Sequence, residues 1–568
     1  MGDFAASHRR RAAITAALAH AARLWDRVSA AVESRVAVWA VALGTAVVYA
    51  VESIAWPLAD VVKRDSFEYV LYYLEFVDRT PLFPALMLGR TPIAPLVDGA
   101  ALELGGPTTL EVVMGLAYVV TVVVLFVTAR ALSPAAGVLT VGLLLLATDV
   151  AALYHQVSSD ALFATAAAAA VGVLGWAWRH GTLGSFALAG AAVALAGLVR
   201  PSGLVLVPVV AAGVLLRPGS VRGRLRLAAA TLLPALAVLG AWASVNLARY
   251  DSFTVAGSPT PPPLYRMFVE EHLVDPSNGP ASAELGEEVA RWVRREPYRS
   301  YGITEEKFFS EATNFMSWDL NRIAEERWGA AAAPGKLQQV AWEAFRAHPG
   351  RYLRSVLDAA DAYLRDPYFY PAPDPAKREV DQDSGDRIVV GGRSLLDPPY
   401  GQLILRPRIV LPPASSTRRS YVYDWSSLDA PRLRFTDPGL ERRYVERQQQ
   451  LAEVDASLPA RKGNAWLAAQ LNRAMHHSPR PLTLLVVGLV ALVVRRPARS
   501  SYLVCVALCG LAIVAIHALS MPAFLEYSLP ASPLFVLFAA GALLGRRPGR
   551  PAAPTRNDGL REPYPAPP

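Results

Sequence analysis

Apolar residues in this chain run in long blocks, and the polar stretches between the blocks are short and rich in arginine. The blocks extend from Val36 to Trp56, Thr109 to Arg130, Ala135 to Tyr154, Ala161 to Trp178, Leu183 to Val199, Ser202 to Leu216, Leu225 to Ala248, Pro481 to Val494, Tyr502 to Leu519 and Phe524 to Leu544. A helix needs about 20 apolar residues to cross a hydrocarbon core, and each block is near that length. The pattern predicts a polytopic α-helical membrane protein of about 10 spans.

Two longer intervals break the rhythm. One is a loop over 57–108; the other is the region 249–480, about 230 residues, large enough for a domain. Within it, Leu337 to Leu364 has helical apolar spacing, whereas Arg387 to Leu411 reads as short strand-like runs broken by Gly and Pro, so a mixed α/β domain is expected. Ser258 to Pro263 and Pro371 to Pro375 read as proline-rich loops. The expected organisation is an N-terminal segment 1–35, a membrane domain 36–248 of about seven spans containing the loop 57–108, the domain 249–480, three further spans over 481–545, and a disordered tail 546–568.

Composition agrees with a membrane protein: of 568 residues, 53% are hydrophobic and only 18% charged. The net charge of +8 would suggest a nucleic-acid partner if the basic residues shared one soluble face. They cluster instead at Arg9-Arg10-Arg11, at Arg217, Arg222, Arg224 and Arg226, at Arg495, Arg496 and Arg499, and at Arg546, Arg547 and Arg550, beside the ends of apolar blocks. That is the positive-inside pattern. It predicts a multi-pass protein of the inner (plasma) membrane with both termini cytoplasmic and with 57–108 and 249–480 on the outer face. The arginine-rich start resembles a signal n-region, but no apolar run follows it at once. The segment 1–35 is therefore expected to stay cytoplasmic, with Ala12 to Arg35 as a surface helix. Cys505 and Cys509, inside one apolar block, read as small buried hydrophobes and not as a disulfide or metal knuckle.

Ionisable residues at membrane depth are costly, so their positions carry information. Glu52, Asp149, His155, Asp160, Arg200, His517 and Glu526 all fall near the predicted outer boundary. Singly, Glu52 and Asp149 are adequately read as helix-end residues and His517 as a packing histidine. Jointly they predict a polar cavity opening outward beneath the 249–480 domain. The sharpest local signal is Lys63-Arg64-Asp65-Ser66-Phe67-Glu68-Tyr69, followed by Asp78-Arg79-Thr80-Pro81-Leu82-Phe83-Pro84. A carboxylate beside two cations just beyond a span suits a site that holds a phosphate-linked donor and deprotonates a hydroxyl, which makes Asp65 the candidate base. Taken alone, the same residues would be an ordinary surface ion pair.

These motifs together resemble the GT-C superfamily of polyprenyl-phosphate-sugar-dependent glycosyltransferases, which includes protein mannosyltransferases, aminoarabinose transferases of lipid A and actinobacterial arabinosyl- and mannosyltransferases. The family has an acidic residue and an aromatic in its first outer loop, then an Arg-x-Pro-x-x-Pro-like turn; Asp65, Tyr69 and Arg79 to Pro84 match. Ser159-Asp160-Ala161-Leu162-Phe163 matches the start of its fourth span, and Arg200-Pro201-Ser202-Gly203 the turn after its fifth. Weaker matches are Trp242 to Asn246, His348-Pro349-Gly350-Arg351-Tyr352 and Glu526-Tyr527-Ser528-Leu529-Pro530, where the family often has Arg and this chain has Glu526.

The resemblance implies that a polyprenyl-phosphate sugar enters from the outer leaflet, with its phosphate on Arg200, Arg64 or Lys63. Asp65 would deprotonate an acceptor hydroxyl, with inversion at the anomeric carbon. Tyr69, Arg79, His155, Asp160, Glu526 and Tyr527 would bind or support the substrates, and the acceptor would be a cell-envelope glycan, lipid or protein. No cofactor is required; a divalent cation could be accommodated, but no ligand spacing calls for a metal. Heavy Ala, Arg, Val and Pro use points to a GC-rich, actinobacterial genome and so to cell wall biosynthesis, with decaprenyl-phosphate arabinose or mannose as donor. A transporter or flippase would also have many spans with buried polar groups, but no repeated half or matching pair of broken spans is visible. A non-catalytic envelope-assembly protein would explain the 249–480 domain but not the Asp65 and Arg200 constellation.

Overall fold

Helices form where the apolar blocks lie, and caps and glycines set their limits. In the computed structural model of the protein the described residues are 27, 29–58, 63–78, 84–257, 262–295, 298–299, 302–312, 314–329, 332–366, 389–390, 393–394, 421–424, 432–435, 438–457, 463–520 and 527–546. The segment up to residue 26, the proline-rich stretches 258–261 and 371–375 and the tail from 547 lie outside them.

The chain runs through α1 (Arg35–Ala55), α2 (Lys63–Asp78), α3 (Pro84–Gly89), α4 (Ile93–Arg130), α5 (Pro134–Leu146), α6 (Thr148–Ala152), α7 (Ser159–His180), α8 (Leu183–Val199), α9 (Leu206–Val214) and α10 (Val221–Tyr250). The later helices are α11 (Pro280–Trp292), α12 (Asn314–Trp328), α13 (Ala333–Ala347), α14 (Pro349–Arg365), α15 (Pro438–Ser457), α16 (Ala465–Met475), α17 (Pro481–Arg495), α18 (Ser500–Ser520) and α19 (Ser532–Leu544). By length and apolarity α1, α4, α7, α10 and α18 can each cross a membrane, and Pro134–Leu146 with Thr148–His155 forms a span broken by 61°. Leu183–Val199, Pro201–Val214, Pro481–Arg495 and Leu529–Leu544 are shorter apolar helices that occupy the remaining blocks.

The outward faces confirm the solvent. Trp39 is 76% exposed, Leu43 69%, Val493 70% and Val494 73%, on helices that a water-soluble protein would turn inward. What the sequence leaves as a loop between the first two blocks is largely helical. It holds α2, α3 and the first three turns of α4, which breaks at Gly105 and Gly106 before its membrane stretch resumes at Pro107. Gly106 has φ +68°, a conformation side chains resist, and Pro107 suits the first turn of the renewed helix.

The described residues form two apolar cores. The larger unites the long helices; the smaller, around Leu264, Phe268, Leu285, Phe308, Leu320 and Leu337, joins α11, α12 and α13. Helix α14 belongs to both: Tyr352 packs in the smaller core, Ala359 and Tyr363 in the larger. The Tyr352 hydroxyl donates to the Leu519 carbonyl at 2.7 Å, fastening the helical unit to the end of α18. The described part of 249–480 is mainly helix. Its strands are confined to two antiparallel pairs, Val389–Val390 with Arg393–Ser394, and Tyr421–Asp424 with Arg432–Phe435.

Small residues let the long helices approach closely, as packing in lipid requires. A Cβ on Gly190 of α8 would overlap the Thr231 carbonyl of α10. Gly190→Leu should force the two helices apart and destabilise the fold by about 1–3 kcal/mol, seen as a lower melting temperature in detergent; an unchanged melt would disprove the contact.

In the smaller core Asp319 is buried, with Oδ2 accepting from the Tyr298 hydroxyl at 2.6 Å and Oδ1 3.4 Å from Arg322 Nη1. Burial pushes its carboxyl above the ordinary carboxylate range, against the pull of Arg322 and Tyr298. With the folded value raised, the residue's contribution to stability is complete at acid pH and is lost as pH rises through that folded value. The melting temperature of Asp319→Asn relative to the native chain should therefore climb as pH rises above the ordinary Asp value of about 4; a difference independent of pH would refute the assignment.

Candidate active site

The site is built on the N-terminus of α7. Ser158 caps this helix by accepting from the Asp160 amide at 3.3 Å, which places Ser159 and Asp160 in the first turn, where a carboxylate is favoured by the helix dipole. Arg200 ends α8 in an extended conformation just before Pro201, and its guanidinium reaches across to that turn. Arg200 Nη1 lies 2.6 Å from Asp160 Oδ2 and donates to Ser159 Oγ at 2.9 Å. Both side chains are mostly shielded, Arg200 13% and Asp160 6% exposed, so the pair is a partly desolvated one and stronger than a surface pair. All hydrogen bonding described for Arg200 runs through Nη1, leaving Nε and Nη2 without a protein acceptor among the described residues.

Two further elements close on this pair. From α2, the buried Tyr69 donates to Ser159 Oγ at 2.9 Å, and Arg90, in the turn between α3 and α4, donates to the Tyr69 hydroxyl at 3.5 Å with its Cζ 5.2 Å from the ring centre. From the turn before α19, the ring of Tyr527 lies 4.7 Å from Arg200 Cζ and stacks on His517 of α18 at 5.4 Å. Five separated stretches of chain thus meet around one guanidinium.

Of the residues singled out in the sequence, Tyr69, Asp160, Arg200 and Tyr527 come together here. Lys63, Arg64 and Asp65 form the first turn of α2, and their side chains, like all of Arg79 and Glu526, lie outside what is described. His155 belongs to an adjoining cluster: Nε2 is 3.7 Å from Glu52 Oε2, and the ring stacks on Tyr49 at 4.5 Å and meets Trp56 edge-on at 5.8 Å. Asp149 is fastened elsewhere, near Arg480 at 4.0 Å and Ser478, as a residue that joins helix ends. No three His, Cys, Asp or Glu side chains gather as metal ligands among the described residues.

Sequence reasoning named Ser159 only within a motif, without a role, and passed over Arg90. A signal for Arg90 exists: Arg90-Thr91-Pro92-Ile93-Ala94-Pro95 repeats the Arg-Thr-Pro-x-x-Pro pattern of Arg79 to Pro84. The second copy supplies the cation seen on Tyr69.

Tyr69→Phe should leave Arg90 and Ser159 short of one hydrogen bond each and cost about 0.5–1.5 kcal/mol. A thermal melt equal to that of the native chain would show the hydroxyl to be idle.

Residues 90–245 match the family model described as dolichyl-phosphate-mannose-protein mannosyltransferase. No curated protein matches the chain. Two crystal structures of ArnT from Cupriavidus metallidurans align with it. The one bound to undecaprenyl phosphate does so at 13% identity over 89% of this chain and 76% of that chain, and the apo one at 14% over 91% and 77%, both with a TM-score of 0.32. A superposition that loose carries no detail from one molecule to the other. The family match covers Arg90, Ser159, Asp160 and Arg200, and over that stretch it bears out the resemblance to the GT-C glycosyltransferases carried by the motifs.

Proposed function

We propose that this multi-pass membrane protein transfers a sugar from a polyprenyl-phosphate donor to an acceptor hydroxyl of a cell-envelope glycan, lipid or protein on the outer face of the plasma membrane. The observation that carries the proposal is the state of Arg200: anchored through Nη1 by Asp160 and Ser159, braced by the Tyr527 ring, with Nε and Nη2 unclaimed among the described residues. That edge of a guanidinium is shaped to take two oxygens of a phosphate monoanion. Asp160 is then the residue that orients Arg200, and Arg90, on the Tyr69 hydroxyl, adds a second positive charge to the site; the resemblance adds Lys63 and Arg64 as further phosphate ligands.

In the reaction the acceptor oxygen attacks the anomeric carbon as the bond from that carbon to the phosphate oxygen breaks. The electron pair leaves on polyprenyl phosphate, where Arg200 stabilises the growing charge, and Asp65 takes the acceptor proton. A single displacement inverts the anomeric centre. The family description favours a mannose-type lipid donor, and the composition of the chain keeps arabinose beside it.

Purified protein should release polyprenyl phosphate from at least one short-chain polyprenyl-phosphate sugar when cell-wall glycan is supplied. Asp65→Asn should lower kcat by about 10²–10⁴-fold, the usual contribution of a general base, and Arg200→Lys should raise KM for the donor. Absence of release with every donor, from folded native protein, would end this reading.

A further inference from the structure

Helix α2 reaches the site through Tyr69, but its far end is held by a residue distant in sequence. Glu75 is fully buried, and its Oε1 accepts from Nε of Arg447 in α15 at 3.1 Å. Arg447, itself buried, donates through Nη1 to Gln450 Oε1 at 2.7 Å, so its guanidinium is oriented along α15 before it meets the carboxylate. One residue on, Phe76 lies under Arg249 at the end of α10, with Cζ 4.8 Å from the ring centre, and stacks on Tyr72 at 6.4 Å. Tyr69, Tyr72 and Phe76 follow at helical spacing on one stripe of α2, and Glu75 stands beside that stripe.

A buried ion pair adds little net stability, because desolvation offsets the attraction, but either partner left alone is costly. Such a pair therefore selects one seating of two elements and penalises others. Glu75 is six residues from Tyr69, about 9 Å along a helix that does not bend readily over that length. A shift of α2 at Glu75 is a shift at Tyr69 and at the first turn that carries Asp65.

We propose that Glu75 and Arg447 are positioning residues for the transfer reaction: their buried pair clamps α2 against α15 and so sets the register of Tyr69 on Ser159 and of the helix turn bearing Asp65. The kinetic half of this inference rests on the glycosyltransferase reading; the clamp itself does not.

The test compares Glu75→Leu, Arg447→Leu, the double variant and Glu75→Gln in the full-length protein, by hydrogen exchange of the 69–78 backbone and by polyprenyl phosphate release. Either single Leu variant should speed exchange in α2 by about tenfold to a hundredfold and lower kcat by about tenfold or more with KM within about twofold. The double variant should recover most of both losses, because the two halves of the pair are then removed together. Glu75→Gln, which keeps an acceptor for Nε, should lie between native and Leu. Gln450→Ala loosens Arg447 without removing a charge and should give a smaller fall of the same sign, which keeps the question open to measurement if the Leu variants do not fold. Native exchange rates in both single variants, or losses that simply add in the double, would overturn the clamp. Faster exchange with kcat unmoved would overturn the positioning role. If the native protein releases nothing from any donor, the glycosyltransferase reading falls while the exchange data still decide the clamp.

Discussion

A guanidinium at the end of an apolar helix bundle dictates most of what surrounds it. Arg200 cannot lose its charge and cannot be left dry and alone, so the bundle supplies a carboxylate from α7, a serine hydroxyl beside it, and an aromatic face from the turn before α19. Each supplier comes from an element whose own start or end is fixed locally: Ser158 caps α7, Pro201 stops α8, and Pro530 and Pro533 open the last apolar helix. The site lies where helices end: the first turn of α7 brings Ser159 and Asp160, and the end of α8 brings Arg200.

The membrane architecture was legible because a spanning helix must be apolar along its whole length, and no other element imposes that demand. Among the described residues five of the ten blocks hold a helix long enough to cross a membrane, one holds a bent pair, and four hold shorter apolar helices. The interval 57–108 was less legible: α2 mixes charged and apolar residues and buries Tyr69, Leu71, Tyr72 and Glu75, so block length says nothing about it. Over Arg387 to Leu411 strand-like runs were visible, and the described residues there form one pair of two-residue strands; a second pair, Tyr421–Asp424 with Arg432–Phe435, lies beyond that stretch.

The site divides the same way. Arg200, Asp160 and Tyr527 stand out in sequence because they are polar residues at the rim of apolar runs. Arg90 does not, and Ser159 appears there only as part of a motif, since an arginine in a turn and a serine at a helix start have ordinary explanations. Glu75 and Arg447 could not be paired by reading alone: each sits among other charges on an amphipathic helix, and only the packing of α2 on α15 reveals which charges are buried. Local rules locate candidates, whereas partners depend on contacts between stretches that the sequence holds far apart.

That separation bears on how the chain is made. Glu75 waits 372 residues for Arg447, and the ring that braces Arg200 arrives still later, with Tyr527. A ribosome adding residues one at a time inserts the first seven apolar blocks well before either partner has emerged. Through that interval Asp160 and Arg200 are already present together, but the contacts from Arg447 and Tyr527 are not, so the half-built protein is held less tightly than the finished one. The last apolar helix is then more than an anchor: its arrival seals the nascent membrane domain, and a chain cut short before it would hold the motifs of the site without the site.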